Sequence, residues 1–288
     1  ALLAVRDGLL ALDDPITRWW PAYTDHPESP TTLRMILSHT SGKWAFPPEA
    51  DSVAPSDPAA LIRALERTPP DTIPGTRLTE HAATYGHLVD GLLAAAGAPS
   101  VADRAAEISA ALGGQFKFGL PDEDLHRVAT LMAADESWPS RHLTSDVARR
   151  ALTVPHGLLD PWFLSTPAWK QTSFGAVGLM TDAHSLASFY DDLVRPDGTI
   201  ATLLGQDLLA AVVTPAAMGY DHFVGRDVSW GLGVRVDGDE VGMGGIGGCA
   251  AWHSRKADYS MAYVTRGLAD HRRADAVADA VEAALGAT

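Results

Sequence analysis

For two thirds of its length the chain repeats apolar residues every three or four positions, and near its end it switches to a repeat of two. Leu2, Leu3, Val5 and Leu9 read as the end of an apolar helix that stops at Gly8. Leu12-Asp13-Asp14-Pro15 then turns the chain toward Trp19-Trp20-Pro21. Thr31 or Thr32 can cap a helix carrying Leu33, Ile36 and Leu37, which Ser41-Gly42 ends. Trp44 to Pro58 is rich in Pro, Ser and Asp and reads as an ordered loop, after which Asp57-Pro58 opens a helix through Leu61, Ile62 and Leu65. Pro74-Gly75 is a turn, Thr79-Glu80-His81 a polar patch, and Tyr85, Leu88, Val89, Leu92 and Ala96 a helical stripe closed by Gly97. This spacing places the polar patch at a helix N-terminus. Ser100 opens a helix with Val101, Ala105, Ile108 and Leu112 that ends at Gly113-Gly114. Phe116-Lys117-Phe118 is extended, and Asp122 caps a helix with Leu125, Val128 and Leu131. From Ser137 to Ser173 the periodicity is weak, as expected of a long surface excursion. Asp182 or Ser185 starts a helix through Leu186, Phe189, Tyr190 and Leu193, and another lies near Leu203 to Val213.

Period two then takes over, in Trp230 to Val236, Cys249 to His253 and Tyr259 to Thr265, with turns at Gly238 and at Lys256-Ala257-Asp258. A last helix carries Ala274, Val277, Ala278, Val281 and Leu285. Helices, then antiparallel strands, then a helix to cover the sheet make an α+β fold, an antiparallel sheet flanked by helices beside a mostly helical part. The change of period divides it into a helical domain over 1–190 and a sandwich domain over 191–288.

Composition narrows the function. With 288 residues, 46% hydrophobic and 20% charged, the chain buries a sizeable core. Its net charge of -14 is scattered, which argues against nucleic acid and favours a neutral or cationic small-molecule partner. No apolar run approaches a membrane span. Cys249 is the only cysteine, so no intrachain disulfide forms, and its apolar surroundings suit a packed thiol better than a nucleophile. The unpaired cysteine and the lack of a visible export signal point to the cytoplasm.

The motif search is mostly negative. Gly242-Met243-Gly244-Gly245-Ile246-Gly247 matches the spacing of a dinucleotide fingerprint, but a strand follows where a helix must meet the pyrophosphate. These glycines better suit a backbone that passes beside a ligand with amide N–H groups free for an oxyanion. Nothing has the spacing of metal ligands, no cofactor is called for, and no nucleophile elbow occurs. Lysine stands at 43, 117, 170 and 256, preceded three positions earlier by Thr40, Gly114, Pro167 and His253, so no Ser-x-x-Lys pair exists. Thr40-Ser41-Gly42-Lys43 comes nearest, at a helix end where Thr and Gly serve as terminators.

Leu2 to Pro15, Ile36-Leu37-Ser38-His39-Thr40-Ser41-Gly42, Pro74-Gly75 through Tyr85, Phe118-Gly119-Leu120-Pro121 and Gly244 to Gly248 together resemble the serine β-lactamase and penicillin-binding-protein superfamily. The flavour is that of class C β-lactamases and family VIII carboxylesterases. The resemblance implies a helix-flanked antiparallel sheet, a helical domain beside it and a site in the cleft between them. It also implies a Ser-x-x-Lys helix, a Tyr base and a glycine-bearing inner strand. Here the Ser-x-x-Lys pair is expected roughly nine residues upstream of Ala1, so no nucleophile is visible. Glu80 stands at the Tyr position with His81 and Ala82 after it, and Met243 precedes Gly244 and Gly245 on the inner strand, where the Ile246 amide can help form an oxyanion hole.

A Tyr phenol titrates near 10 and must be tuned down to act as a base, whereas a carboxylate near 4 is ionised at neutral pH, the more so at a helix N-terminus. Glu80 therefore reads as a ready general base or as a solvated acid in a protein that has lost its chemistry. Two functions follow. One is an enzyme acting on an ester, amide or other acyl-bearing small molecule, in hydrolysis or biosynthesis, with His81 lining the cleft. The other is a pseudoenzyme that binds a small molecule or protein in the old cleft. The family's N-terminal strands are also expected beside strand 259–265, whose open edge calls for cover by an upstream segment, a second subunit or a rearrangement.

Overall fold

The computed structural model describes residues 1–134 and 136–286. Several of its helices begin where short polar side chains reach the first free amides. Helix α1 is Leu2–Arg6, and α2, Leu33–Leu37, is capped by Thr32, which accepts from the Met35 amide. Asp57 caps α3, Pro58–Arg67, through the Ala60 amide. Helix α4 is Tyr85–Ala95, and α5, Val101–Leu112, opens with a capping box between Ser100 and Asp103 and closes on left-handed Gly113. Gly97, after α4, is also left-handed.

The expected surface excursion is folded instead. It contains α6, Trp138–Arg141, α7, Asp146–Thr153, and α8, Pro167–Lys170. Buried Trp138 and Trp169 anchor it, and helices of four to eight residues are too short to establish a clear period in the sequence. The helix expected through Leu131 is a 3-10 helix over Asp122–Arg127. Asp182 caps α9, Ala183–Leu193. The expected helix near Leu203 to Val213 is two, α10, Thr199–Leu204, and α11, Gln206–Val212, because Gly205 between them takes a φ of 81°. The terminal helix α12 is Arg272–Leu285.

Two short strands, β1, Met132–Ala133, and β8, Gly267–Leu268, form a parallel pair. Among the described residues the main sheet is an antiparallel meander in chain order: β2, Ala217–Asp221; β3, Arg226–Trp230; β4, Arg235–Asp237; β5, Glu240–Gly244; β6, Ala250–Ser254; β7, Tyr259–Tyr263. The single strand expected from Trp230 to Val236 is broken. The amides of Leu232 and Gly233 leave the ladder to donate to Val212 and Leu37 carbonyls, so the chain dips toward the helices before β4 begins. Strands β2, β3 and β5 carry too many Gly and polar residues to show an alternating pattern, and their pairing partners alone define them.

One core joins α1 to α4 around Leu33, Ile36, Leu61, Leu65, Leu88 and Leu92. A second lies between α9 to α11 and one sheet face, where Val234, Val236, Val241 and Ala251 meet Tyr190, Leu193 and Leu209. Helix α12 sits beside β7, its Glu282 accepting from the Tyr259 hydroxyl. Strand β7 pairs with β6 alone, so no strand among the described residues supplies the cover expected for its other edge. No helix of the described residues is long and apolar enough to cross a membrane.

Candidate functional site

Two segments laced together by backbone hydrogen bonds build the site. After α2 the chain turns through His39, which has a φ of 62°, and Gly42, with a φ of 81°. Gly42 has no alternative, since a Cβ there would lie 2.2 Å from the Thr72 carbonyl oxygen. The amides of Asp71, Gly75 and Thr79 donate to the carbonyls of Gly42, Thr40 and His39 at 2.9, 2.8 and 3.0 Å. The Thr84 hydroxyl donates to the Lys43 carbonyl at 2.7 Å. Residues 79–82 are thus pinned as irregular backbone, and α4 begins only at Tyr85. The polar patch does not sit on a helix N-terminus, and the helix dipole does not act on Glu80 as expected.

His81 supports this backbone from within. It is buried, its Nδ1 lies 2.9 Å from the Thr79 carbonyl and its Nε2 lies 2.6 Å from the Ser41 hydroxyl. A carbonyl only accepts, so Nδ1 carries the proton and Nε2 accepts from Ser41. The His81 amide in turn donates to His39 Nδ1 at 3.1 Å. Burial pushes His81 down to about 4 and His39 well below the usual imidazole value, so both rings are neutral. With both ring nitrogens engaged, His81 holds the loop and does not present a free group to the cleft.

Glu80 differs from its expectation in chemistry. Part of the residue remains open to solvent, yet burial, followed by the negative charge of Asp221, pushes its carboxyl up to about 8 against a smaller opposing pull from Arg235. At neutral pH it is mostly the protonated acid, and the ready carboxylate base expected from the free amino acid is not what the fold makes. Asp221, fully buried at the end of β2, accepts from the amides of Glu80, Phe223 and Val224 at 3.1, 2.8 and 3.1 Å and from the Trp230 indole at 3.1 Å.

The glycine turn closes the other side. Met243 packs with Leu78 and Trp230 on one flank and with the sheet core on the other, so it adjoins the segment bearing Glu80 through apolar contact. The Ile246 side chain shares an apolar cluster with Ala82, Trp44 and Phe223, and its carbonyl accepts from Trp138 at 3.3 Å. The Gly245 amide is spent on the Cys249 carbonyl at 2.8 Å. A Cβ at Gly244 would lie 2.9 Å from His271 Nε2, so the ring backs the turn closely. Glu80, Met243, Gly244, Gly245 and Ile246 therefore border one region. No group of His, Cys, Asp or Glu able to hold a metal occurs among the described residues. Surface cavities of about 470 and 320 Å³ flank α9 around Asp191 and around Arg195 and His253, away from these residues.

Ser41 and Lys43 stood in the sequence only as a helix end, and Asp221 was not singled out. Lys43 is buried, donates to the Leu65 carbonyl at 2.7 Å and lies 3.4 Å from the centre of the Tyr23 ring. Asp221 had one local signal, an Asp at a strand end whose side chain caps the two following turn amides.

A family model described as Beta-lactamase matches residues 1–285. Among solved structures, a penicillin-binding protein homolog from Caulobacter crescentus is 24% identical with a TM-score of 0.71, over 93% of this chain and 74% of that one. EstA from Arthrobacter nitroguajacolicus Rue61a is 20% identical with a TM-score of 0.80, over 99% and 81%. A family VIII carboxylesterase is 19% identical with a TM-score of 0.77, over 93% and 74%. A comparison with curated proteins found no match.

Proposed function

Because the chain belongs to the β-lactamase family, whose fold it shares with esterases and penicillin-binding proteins, we propose that it is an enzyme acting on an ester, amide or other acyl-bearing small molecule. Its reacting carbonyl would sit between Glu80 and the turn from Gly244 to Ile246. The observation that carries this reading is Glu80, at the position resembling the family's base, partly open to solvent and beside the glycine turn, with its carboxyl pushed up to about 8. A group that titrates near working pH can give a proton to a leaving alcohol or amine and take it back from the incoming nucleophile. Glu80 is then a general acid first, in contrast to a phenolate base. Met243 supplies an apolar wall, and an amide of the turn polarises the carbonyl.

A specific observation favours the second reading, a binding pseudoenzyme. Among the described residues two hydroxyls pair with an imidazole: Ser41 is completely buried and out of a substrate's reach, and Ser260, 3.0 Å from His253 Nδ1, lies at the cavity beside α9, away from Glu80. Incubation with a chromogenic β-lactam and short-chain esters, followed by intact mass measurement, separates the two. Turnover that Glu80→Gln abolishes and Met243→Leu spares supports the enzyme with Glu80 in the proton-transfer role. Turnover unaffected by Glu80→Gln removes Glu80 from the mechanism, and saturable ligand binding without turnover by the intact protein supports the pseudoenzyme.

A further inference from the structure

We propose that Asp221 is a positioning residue for Glu80: a buried carboxylate that holds the Glu80 peptide in place and sets a negative charge beside the group that meets the ligand. The inference rests on the reading of Glu80 as the proton-transfer group, but its geometry stands by itself.

Asp221 comes from the far side of the chain, 141 residues later in sequence, and reaches the site because β2 ends there. Both of its oxygens are committed. Oδ1 accepts from the amides of Glu80, Phe223 and Val224, and Oδ2 from the Trp230 indole. Every one of these partners only donates. A protonated carboxylic acid would point its hydrogen at a donor, so the surroundings suit the acceptor-only carboxylate. One of the four donors is the backbone of Glu80 itself. The carboxylate is therefore tied to the backbone of the residue it acts on.

Among the charged neighbours Asp221 has the largest influence on Glu80. His39 and His81, from the segments beneath, are neutral. Tyr85, at the start of α4, is buried and held in its neutral form, its phenol pushed above the usual range by burial. Arg235 on β4 opposes Asp221, and its influence on Glu80 is the smaller of the two. Burial raises the Glu80 carboxyl most, and the negative charge of Asp221 adds to it in the same direction, an effect that grows as water is excluded and the local dielectric falls.

The test reads Glu80 directly and needs no substrate. Side-chain carboxyl ¹³C labelling of Glu, with assignment by Glu80→Gln, gives the Glu80 titration midpoint by NMR in the full chain. Asp221→Asn keeps the acceptor for the three amides and removes the charge, while its amide group would face the Trp230 indole donor. Asp221→Asn combined with Trp230→Phe removes that clash. In either variant the proton affinity of Glu80 should fall by about tenfold or more, with the backbone amide spectrum otherwise retained. Any Glu80-dependent pH profile of turnover should move acidward by the same factor. An unchanged Glu80 midpoint in a folded variant overturns the proposal, and so does loss of the fold in both variants, which would make Asp221 structural only. If Glu80→Gln leaves turnover intact while the midpoint still falls, the electrostatic coupling stands and the catalytic reading of Glu80 fails.

Discussion

Lys43 offers the sharpest quantitative test of the site's foundations. Its ammonium is enclosed between α3 and the 39–43 segment, and burial pushes it from 10.5 to about 7 despite the attraction of Asp25, Glu66 and Asp71. The unfolded chain then holds more protons than the native one between pH 7 and 10.5, so stability rises with pH across that window. From pH 7 to 9 the two titrations give a gain of about 2 kcal/mol, worked from about 1.4 kcal/mol per unit of pKa. Glu80 opposes it. Its native pKa is raised from 4.5 to about 8, so its contribution falls by about 1.4 kcal/mol over the same two pH units. A wild-type pH profile alone would therefore show little. The difference between wild type and Lys43→Met isolates the lysine, because Met fills much of the same volume and carries no proton. Urea unfolding at pH 7, 8 and 9 is the assay, with midpoints compared at constant m. The advantage of Lys43→Met should shrink by about 2 kcal/mol between pH 7 and pH 9. Parallel stability profiles for the two proteins would refute a desolvated, titrating lysine at this position.

Three further outcomes follow from the same contacts. Glu80→Gln should gain stability relative to wild type between pH 5 and 8, because the raised Glu80 pKa makes the native wild type bind an extra proton that it loses over this range; the difference between wild-type and variant thermal melts at pH 5, 6.5 and 8, in which the buried histidines cancel, checks this. Ser41→Ala strands the buried His81 Nε2 without its donor and should cost about 1–3 kcal/mol in urea unfolding, with Ser41→Thr tolerated only if the added methyl finds room. Gly42→Ala drives a methyl into the Thr72 carbonyl at a left-handed position and should cost more than about 2 kcal/mol, whereas Gly97→Ala, where nothing lies within 4 Å, should cost only the backbone penalty of about 1 kcal/mol.

Much of the helical half was legible because caps are local. Thr32, Asp57, Ser100 and Asp182 each bond an amide three residues on, and that relation is written in adjacent sequence. The resemblance to β-lactamases also located Glu80 and the glycine turn, since both lie in short contiguous motifs. The strands were half legible. Strand β4 alternates polar and apolar residues, whereas β2 and β5 are recognisable only through the neighbours that complete their hydrogen bonds.

The chemistry of Glu80 was the part that sequence could not decide. Its identity and its place between Pro74 and Tyr85 are sequence facts, and from them alone it reads as an ionised acid near a helix start. Tertiary structure delays the helix to Tyr85, buries the carboxyl and brings Asp221 from 141 residues away to its backbone. Protonation depends on the free energy of a charge in its surroundings, and those surroundings are assembled from distant segments. The chain thus specifies by itself which carboxyl follows the Pro74-Gly75 turn, while only the fold determines that this carboxyl holds its proton.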